Sequence, residues 1–162
     1  MSQAVTPINS YNNTQNFYPS NDLWDLQYLP FLASTAIDDG TAIGIQISAN
    51  TTTGNYTKMG VENASGADFI GILAQKISST DTDYATAGKL KGVWIPKTQE
   101  AEAFFKVGAG TFTAVDVGKT VEFHSDSKSL AVDTAGKGAR ITSYIDSTRG
   151  TCQFTLPTTE TA

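Results

Sequence analysis

The sequence predicts an all-β protein, a small antiparallel β-barrel or sandwich with an extended N-terminal arm. Residues 118–156 contain four short runs in which apolar and polar residues alternate, separated by clusters of Asp, Ser, Thr and Gly. Alternation with a period of two is typical of strands with one buried face. Similar runs precede this segment, and long runs with helical periodicity are missing. Since 162 residues suit one ordinary domain, we predict an arm of residues 1–30 and a β-barrel domain of residues 31–162.

The arm is polar but carries scattered aromatic residues and no alternating pattern. Buried aromatic side chains contribute strongly to interfaces, which indicates that the arm docks on a partner. Ser20 or Asn21 would cap a two-turn helix over residues 22–29, and Pro30 would end it. Alternatively, the arm folds back over its own barrel. The candidate partner-binding residues are Tyr11, Phe17, Tyr18, Leu23, Trp24, Leu26 and Tyr28.

The barrel domain begins with a predicted hairpin. An Asp39-Gly40 turn would join a strand at Ala36-Ile37 to one that continues through Ile43, Ile45 and Ile47. Residues 48–56 and 63–68 are expected to be loop and turn. Residues 69–74 suit a central strand, 78–87 a surface loop and 88–96 a strand that ends at Pro96. A short helix is expected over residues 98–103, and strand character returns at residues 104–107.

The last four runs predict a β meander with one dry face. The side chains expected on that face are Val121, Phe123, Leu130, Val132, Ala139, Ile141, Ser143, Ile145, Cys152, Phe154 and Leu156. Because Cys152 is the one cysteine, an internal disulfide is excluded, and we expect a small buried hydrophobe there.

Charge and composition limit the classes of partner. The net charge is −5, and residues 1–57 contain four Asp and no Lys or Arg. Phosphate binding draws on clustered cations, so a nucleic-acid partner is not expected. The N-terminus lacks a basic and an apolar signal region, and no run approaches the ~20 apolar residues of a membrane span. We therefore expect a protein of the cytoplasm with no membrane partner.

No set of residues predicts catalysis or a cofactor, so an enzyme is not expected. His124 is the one histidine, which leaves no second imidazole for a metal site, and its neighbour Phe123 suggests that it faces solvent. Gly118-Lys119-Thr120 resembles the end of a P-loop, but Thr113 stands where the first glycine is required. Two weaker alternatives remain. Loop carboxylates at Asp81 and Asp83 could bind calcium, and Trp94 with Tyr84 of the 78–87 loop could form a sugar platform.

The order of these signals resembles that of the small β-barrel decoration, or cement, proteins of tailed-bacteriophage capsids. The similar features are the hairpin of residues 36–43, the apolar Gly-Ile strand of residues 69–73, the strand of residues 88–96 with Val93-Trp94-Ile95-Pro96, and the strand begun by Val117-Gly118-Lys119-Thr120-Val121 with the meander up to Leu156.

The resemblance implies a structural virion protein, present in the host cytoplasm during assembly. Such a protein binds the outside of an assembled capsid and braces neighbouring major capsid protein subunits. It is often a homotrimer at a local symmetry axis. The aromatic arm is longer than a minimal barrel of this kind needs. The alternative function is a ligand- or carbohydrate-binding β module of a phage fibre or tail.

Overall fold

The computed structural model describes residues 16–44, 55–59 and 69–155, and this part of the chain is all-β, as predicted. It has one 3-10 turn at Ala114–Asp116 and no α-helix. The strands are β1 (Tyr18–Pro19), β2 (Trp24–Phe31), β3 (Ala42–Gly44), β4 (Thr57–Lys58), β5 (Phe69–Leu73), β6 (Lys89–Pro96), β7 (Glu102–Ala109), β8 (Thr120–Phe123), β9 (Leu130–Ala135), β10 (Ala139–Asp146) and β11 (Arg149–Phe154). Tyr11, Ile45, Ile47, the turn at residues 63–68 and Leu156 lie outside the described residues.

The first of two sheets, which we term the barrel sheet, closes on itself. Its strand order is β1-β7-β11-β10-β8-β9, and β9 also pairs with β7. That closing pair is parallel, with Val107 opposite Leu130, whereas the other pairs in this sheet are antiparallel. The second sheet, the open sheet, has the antiparallel order β2-β6-β5-β3-β4. Its edge strand β2 pairs with β6 over eight residues, from Trp24 opposite Pro96 to Phe31 opposite Lys89.

A shared core joins the two sheets. The larger buried cluster combines open-sheet residues such as Phe69 and Trp94 with barrel-sheet residues such as Phe123 and Phe154. Cys152 is fully buried in it, as predicted, and burial raises the pKa of its thiol well above the usual range. A smaller cluster lies on the opposite face of the open sheet, so the central strands of that sheet are covered on both sides. Its members are Phe31, Ile37, Ile43, Leu73, Ile77 and Val93.

Both predicted helices are wrong. Residues 24–31 form β2, because Trp24 packs into the larger cluster while Phe31, of opposite parity, packs into the smaller one. Pro30 is tolerated because β2 is an edge strand. The predicted boundary between arm and barrel domain therefore falls inside a strand. At the second site, Thr98 and Ala101 close a turn, and β7 already begins at Glu102.

The predicted strands of the C-terminal region are confirmed, but their connections are not those of a meander. β10 pairs with β8 instead of β9, because the other edge of β9 lies against β7. The Asp39-Gly40 turn is present, with Gly40 at φ +80. It does not form the predicted hairpin, since Ile37 bridges to Ile77 and β3 pairs with β4 and β5.

Two buried lysines attach the 78–88 loop to the outer face of the open sheet. Lys89 Nζ donates hydrogen bonds to the carbonyl oxygens of Leu32 at 2.6 Å and Tyr84 at 3.0 Å. Lys91 Nζ lies 3.1 Å from Asp83 Oδ2. Desolvation by burial lowers the pKa of Lys89 despite the charge of Asp83 nearby. The Lys89 ammonium thus joins the backbone after β2 to the loop, and the Lys91 ammonium joins β6 to the Asp83 carboxylate of the same loop.

Replacing Lys89 should loosen this loop. Lys89→Met keeps the length of the side chain but removes the donor to the Leu32 carbonyl oxygen and one of two donors to the Tyr84 carbonyl oxygen, which also accepts the Ser34 N–H. We therefore expect a loss of about 1–3 kcal/mol in the free energy of unfolding. Urea unfolding at pH 7 measures it. The exposed Lys137→Met is the control, with an expected change within about 0.5 kcal/mol. Equal midpoints for the two variants would contradict the role of Lys89.

Candidate partner-binding surfaces

Two of the predicted partner-binding residues belong to the core of this chain. Phe17 and Trp24 are buried in the larger cluster. The Phe17 ring centroid lies 5.2 Å from that of Phe154, and Trp24 Nε1 donates a hydrogen bond of 2.9 Å to the Glu102 carbonyl oxygen. Neither side chain is accessible to a partner. Their prediction is corrected, and residues 16–30 pack on the chain's own body, the alternative left open by the sequence.

The other predicted residues differ in exposure. Leu23 and Leu26 are partly buried against the larger cluster, and Tyr18 is half-buried in β1. Tyr28 is 60% exposed. Tyr11 lies outside the described residues. Among the predicted residues that the structure describes, Tyr28 alone presents most of its side chain to solvent.

Tyr28 belongs to an apolar surface that we term the Tyr28 face, made of Leu26, Tyr28, Pro30 and Leu90. Leu26, Tyr28 and Pro30 occupy alternate positions of β2 and therefore lie on the same side of the strand. Pro30 lies opposite Leu90, which is 61% exposed. Tyr28 lies opposite Gly92 of β6, so its paired residue has no side chain that could cover the Tyr28 ring. The same side of β2 begins at Trp24 in the core. The Tyr28 face is thus the solvent-exposed continuation of the core-facing side of the open sheet.

A second exposed apolar surface, the Val115 tip, was not predicted. It consists of Val115 (79% exposed), Val117 (42%) and Tyr144 (39%). Buried Phe112 anchors the loop, with its ring centroid 5.4 Å from Phe105 and 5.1 Å from Tyr144. The signal available in the sequence was the pair of valines within a turn, where exposed apolar residues are unusual.

Asp116 holds the Val115 tip in shape. Its carboxylate accepts hydrogen bonds from the Thr113 backbone N–H at 2.9 Å and from Lys119 Nζ at 2.7 Å. The bond from Lys119, followed by that from Thr113, lowers the pKa of Asp116 below its usual 3.8. Asp116 is buried while Val115 beside it is exposed. The tip is therefore pre-organised, which reduces the entropy lost when a partner binds.

Substituting Asp116 should change the acid sensitivity of the protein. Because the folded-state pKa is lowered, the stabilisation is present above pH ~4 and is lost as pH falls through the folded pKa. Asp116→Asn should lose about 1 kcal/mol at pH 7, and its difference from wild type should shrink as the pH falls below ~4. Urea unfolding at several pH values measures this, with Asp22→Asn as the control. A difference that stays constant with pH would contradict the role of the carboxylate.

His124 lies in a polar cluster and is half-buried, so its predicted solvent-facing position is wrong. Its Nδ1 lies 3.4 Å from Asp126 Oδ1. Burial acts to raise the pKa of Asp126, but hydrogen bonds from the Lys128 N–H and the Ser129 hydroxyl, together with the nearby His124 imidazole, bring it below the usual value. Because Ser129 donates to Asp126 and not to His124, the cluster lacks the order of a nucleophile, base and orienting acid.

The two weaker alternatives from the sequence lack the geometry that they require. Asp81 Oδ2 accepts the Ser78 N–H, and Asp83 pairs with Lys91. Across the described residues, no group of three or more His, Cys, Asp or Glu side chains could hold a metal ion. Trp94 is buried in the larger cluster whereas Tyr84 packs against the smaller one. The two rings lie on opposite faces of the open sheet and form no shared sugar platform.

No protein-family model and no curated protein matches this chain. Helices long and apolar enough to cross a membrane are missing from the described residues.

Proposed function

We propose that this protein is a structural virion component that binds the outside of an assembled phage capsid and stabilises contacts between major capsid protein subunits. The observation that carries the proposal is the pair of separate apolar surfaces, the Tyr28 face and the Val115 tip, on a closed β body. The order of strand and turn signals in the sequence resembles that of capsid decoration proteins. This resemblance is the reason for proposing the major capsid protein as the partner.

Two contact surfaces suit a protein that bridges neighbours. When a partner removes large apolar side chains such as Tyr28 and Leu90 from water, their burial stabilises the complex. A standard interface buries roughly 1,600 Å² in total, so the three or four apolar side chains of each surface would form the centre of an interface and not the whole. Many copies, each contacting adjoining subunits, would strengthen a shell even when a single contact is weak.

The proposal is tested by co-sedimentation with heads assembled from the major capsid protein of the same phage. Tyr28→Glu combined with Leu90→Glu should weaken binding at least about 100-fold, because two charges would be buried at the interface. Val115→Asp should weaken it at least about tenfold. Ser79→Glu places the same charge on the exposed 78–88 loop and should bind like wild type. Wild-type occupancy by the first two variants would contradict the proposal.

Further measurements address the other parts of the proposal. Electron microscopy of native particles would give the copy number and would show whether three copies surround a symmetry axis. Tyr11→Ala tests the predicted contact of Tyr11 with the partner. A glycan array with the purified chain tests the alternative. Saccharide binding without any binding to heads would favour a ligand-binding module of a fibre or tail.

A further inference from the structure

A groove with two chemically different ends crosses the core-facing side of the open sheet. One hollow of about 240 Å³ is lined by residues that include Asn16, Tyr18 and Asp39. A second, of about 280 Å³, is lined by residues that include Leu26 and Tyr28. Both hollows share Ala74 and Trp94 in their lining, so they lie next to each other, and we term the pair the groove. It joins the Tyr28 face to the acidic turn at Asp39-Gly40.

Gly92 leaves space at the apolar end. A Cβ at this position would lie 3.3 Å from Leu26 Cδ1 and 3.6 Å from Tyr28 Cε1, so the missing side chain accounts for the hollow between them. The neighbours that it would meet are the ends of flexible side chains, not backbone. This end therefore offers an apolar recess with a backbone floor, a shape that accepts one large apolar side chain.

The other end is negatively charged. Asp39 is exposed, and no cation of the described residues pairs with its carboxylate, whereas neighbouring Asp38 contacts Lys76 and Lys128. At the apolar end, the Gln75 side-chain oxygen accepts the Gly92 N–H at 3.1 Å. This bond orients the amide and leaves its nitrogen, which has no hydrogen bond within the described part of the chain, as a donor for a carbonyl oxygen.

We propose that this groove binds an extended peptide segment of the partner that carries a Lys or Arg and one large apolar side chain. The cation would lie against Asp39, the apolar side chain would enter the recess over Gly92, and a backbone carbonyl would accept the Gln75 amide. Charge complementarity at one end and the open, elongated shape favour a peptide over a small ligand, which usually occupies an enclosed cavity. The inference rests on the proposed function for the identity of the partner, but the groove can be tested separately.

The probe is an array of synthetic decapeptides. Each contains one Lys or Arg and one Leu, Met, Phe or Trp, separated by one to six Gly or Ser residues, with counterparts in which Glu or Ser replaces either residue. Peptides with both residues should bind at least about tenfold more tightly than their counterparts. The best spacing should then shift the NMR amide signals of Ala74, Gln75 and Gly92. The inference is overturned if no peptide binds with a Kd below about 1 mM.

Two substitutions test the two ends of the groove independently. Gly92→Val fills the recess and should weaken binding at least about tenfold for every peptide. Asp39→Asn should weaken binding and remove most of its salt dependence. Two control variants should bind like wild type: Ala87→Val, which creates a valine at an exposed position, and Asp22→Asn, which also removes one charge. Thermal unfolding confirms that each variant folds, and equal peptide binding by folded Gly92→Val would overturn the inference.

Binding of the variants to heads distinguishes failure of the groove inference from failure of the proposed function. If Gly92→Val and Asp39→Asn bind heads like wild type while the Tyr28 and Leu90 double variant does not, the groove inference fails and the proposed function stands. If peptides bind in the groove but no variant or wild-type protein binds heads, the groove stands and the proposed partner is wrong.

Discussion

Phe154→Ala is expected to lower the free energy of unfolding by about 3–5 kcal/mol, the range typical of a buried Phe replaced by Ala. Phe154 stacks on Phe69 of the open sheet with ring centroids 4.4 Å apart. It also meets Phe17 at 5.2 Å, Phe123 at 5.8 Å and Trp24 at 6.0 Å. The ring thus contacts the barrel sheet, the open sheet and the N-terminal segment together. Its removal would leave a cavity that three separate elements line and that none could fill alone.

Urea unfolding at pH 7 measures this effect, and Tyr28→Ala is the matched control. Both substitutions truncate an aromatic ring on a strand, but Tyr28 is exposed and should change the free energy of unfolding by no more than about 0.5 kcal/mol. A loss below about 1 kcal/mol for Phe154→Ala would show that the two sheets do not share one packed core.

Gly71→Ala is expected to destabilise the fold by about 3 kcal/mol or more, or to prevent folding. Gly71 lies on β5 between β3 and β6. A Cβ there would overlap the Trp94 carbonyl oxygen and would lie 2.9 Å from Val93 Cγ1. The carbonyl belongs to the neighbouring strand, so relief would require the two strands to separate.

The control for Gly71→Ala is Gly92→Ala, also on a central strand of the open sheet. Its new methyl group would meet only flexible side-chain ends, so we expect a change within about 1 kcal/mol. Circular dichroism and thermal unfolding compare the two. Equal stability of the Gly71 and Gly92 variants would contradict the close approach of β5 to β6.

The fold class followed from the sequence where a strand has one buried and one exposed face. β8 is of this kind, and Val121 and Phe123 lie in the core as the alternation predicts. β2 also alternates from Trp24 to Tyr28, but Leu29-Pro30-Phe31 is a continuous apolar run, and Phe31 packs on the opposite side of the sheet from Trp24. A short segment whose pattern changes in this way is easily assigned to a short helix. The Asp39-Gly40 turn was recognisable in the sequence. The residues on either side of it pair with distant parts of the chain, Ile37 with Ile77 and β3 with β5.

The surfaces were harder to predict than the strands. Tyr28 was expected to contact a partner, and it is exposed, but Phe17 and Trp24 were assigned the same role from composition alone and are core residues. Exposure of Val115 depends on the bonds that Asp116 makes with Thr113 and Lys119, which no single-residue pattern encodes. The groove is built from residues as distant as Asn16 and Trp94. Only folding brings these residues together.

The parallel pairing of β7 with β9, which closes the barrel sheet, affects how copies of the protein interact at high local concentration. A sheet that closes on itself leaves few unpaired backbone groups, and unpaired edges are what allow strands of different molecules to template fibrous growth. Within the described residues, the longest strand at a sheet edge is β2, which contains Pro30. The barrel sheet therefore offers little free edge for fibrous growth, and the longest edge that copies held side by side would present to one another is β2, where Pro30 lacks the N–H that pairing requires.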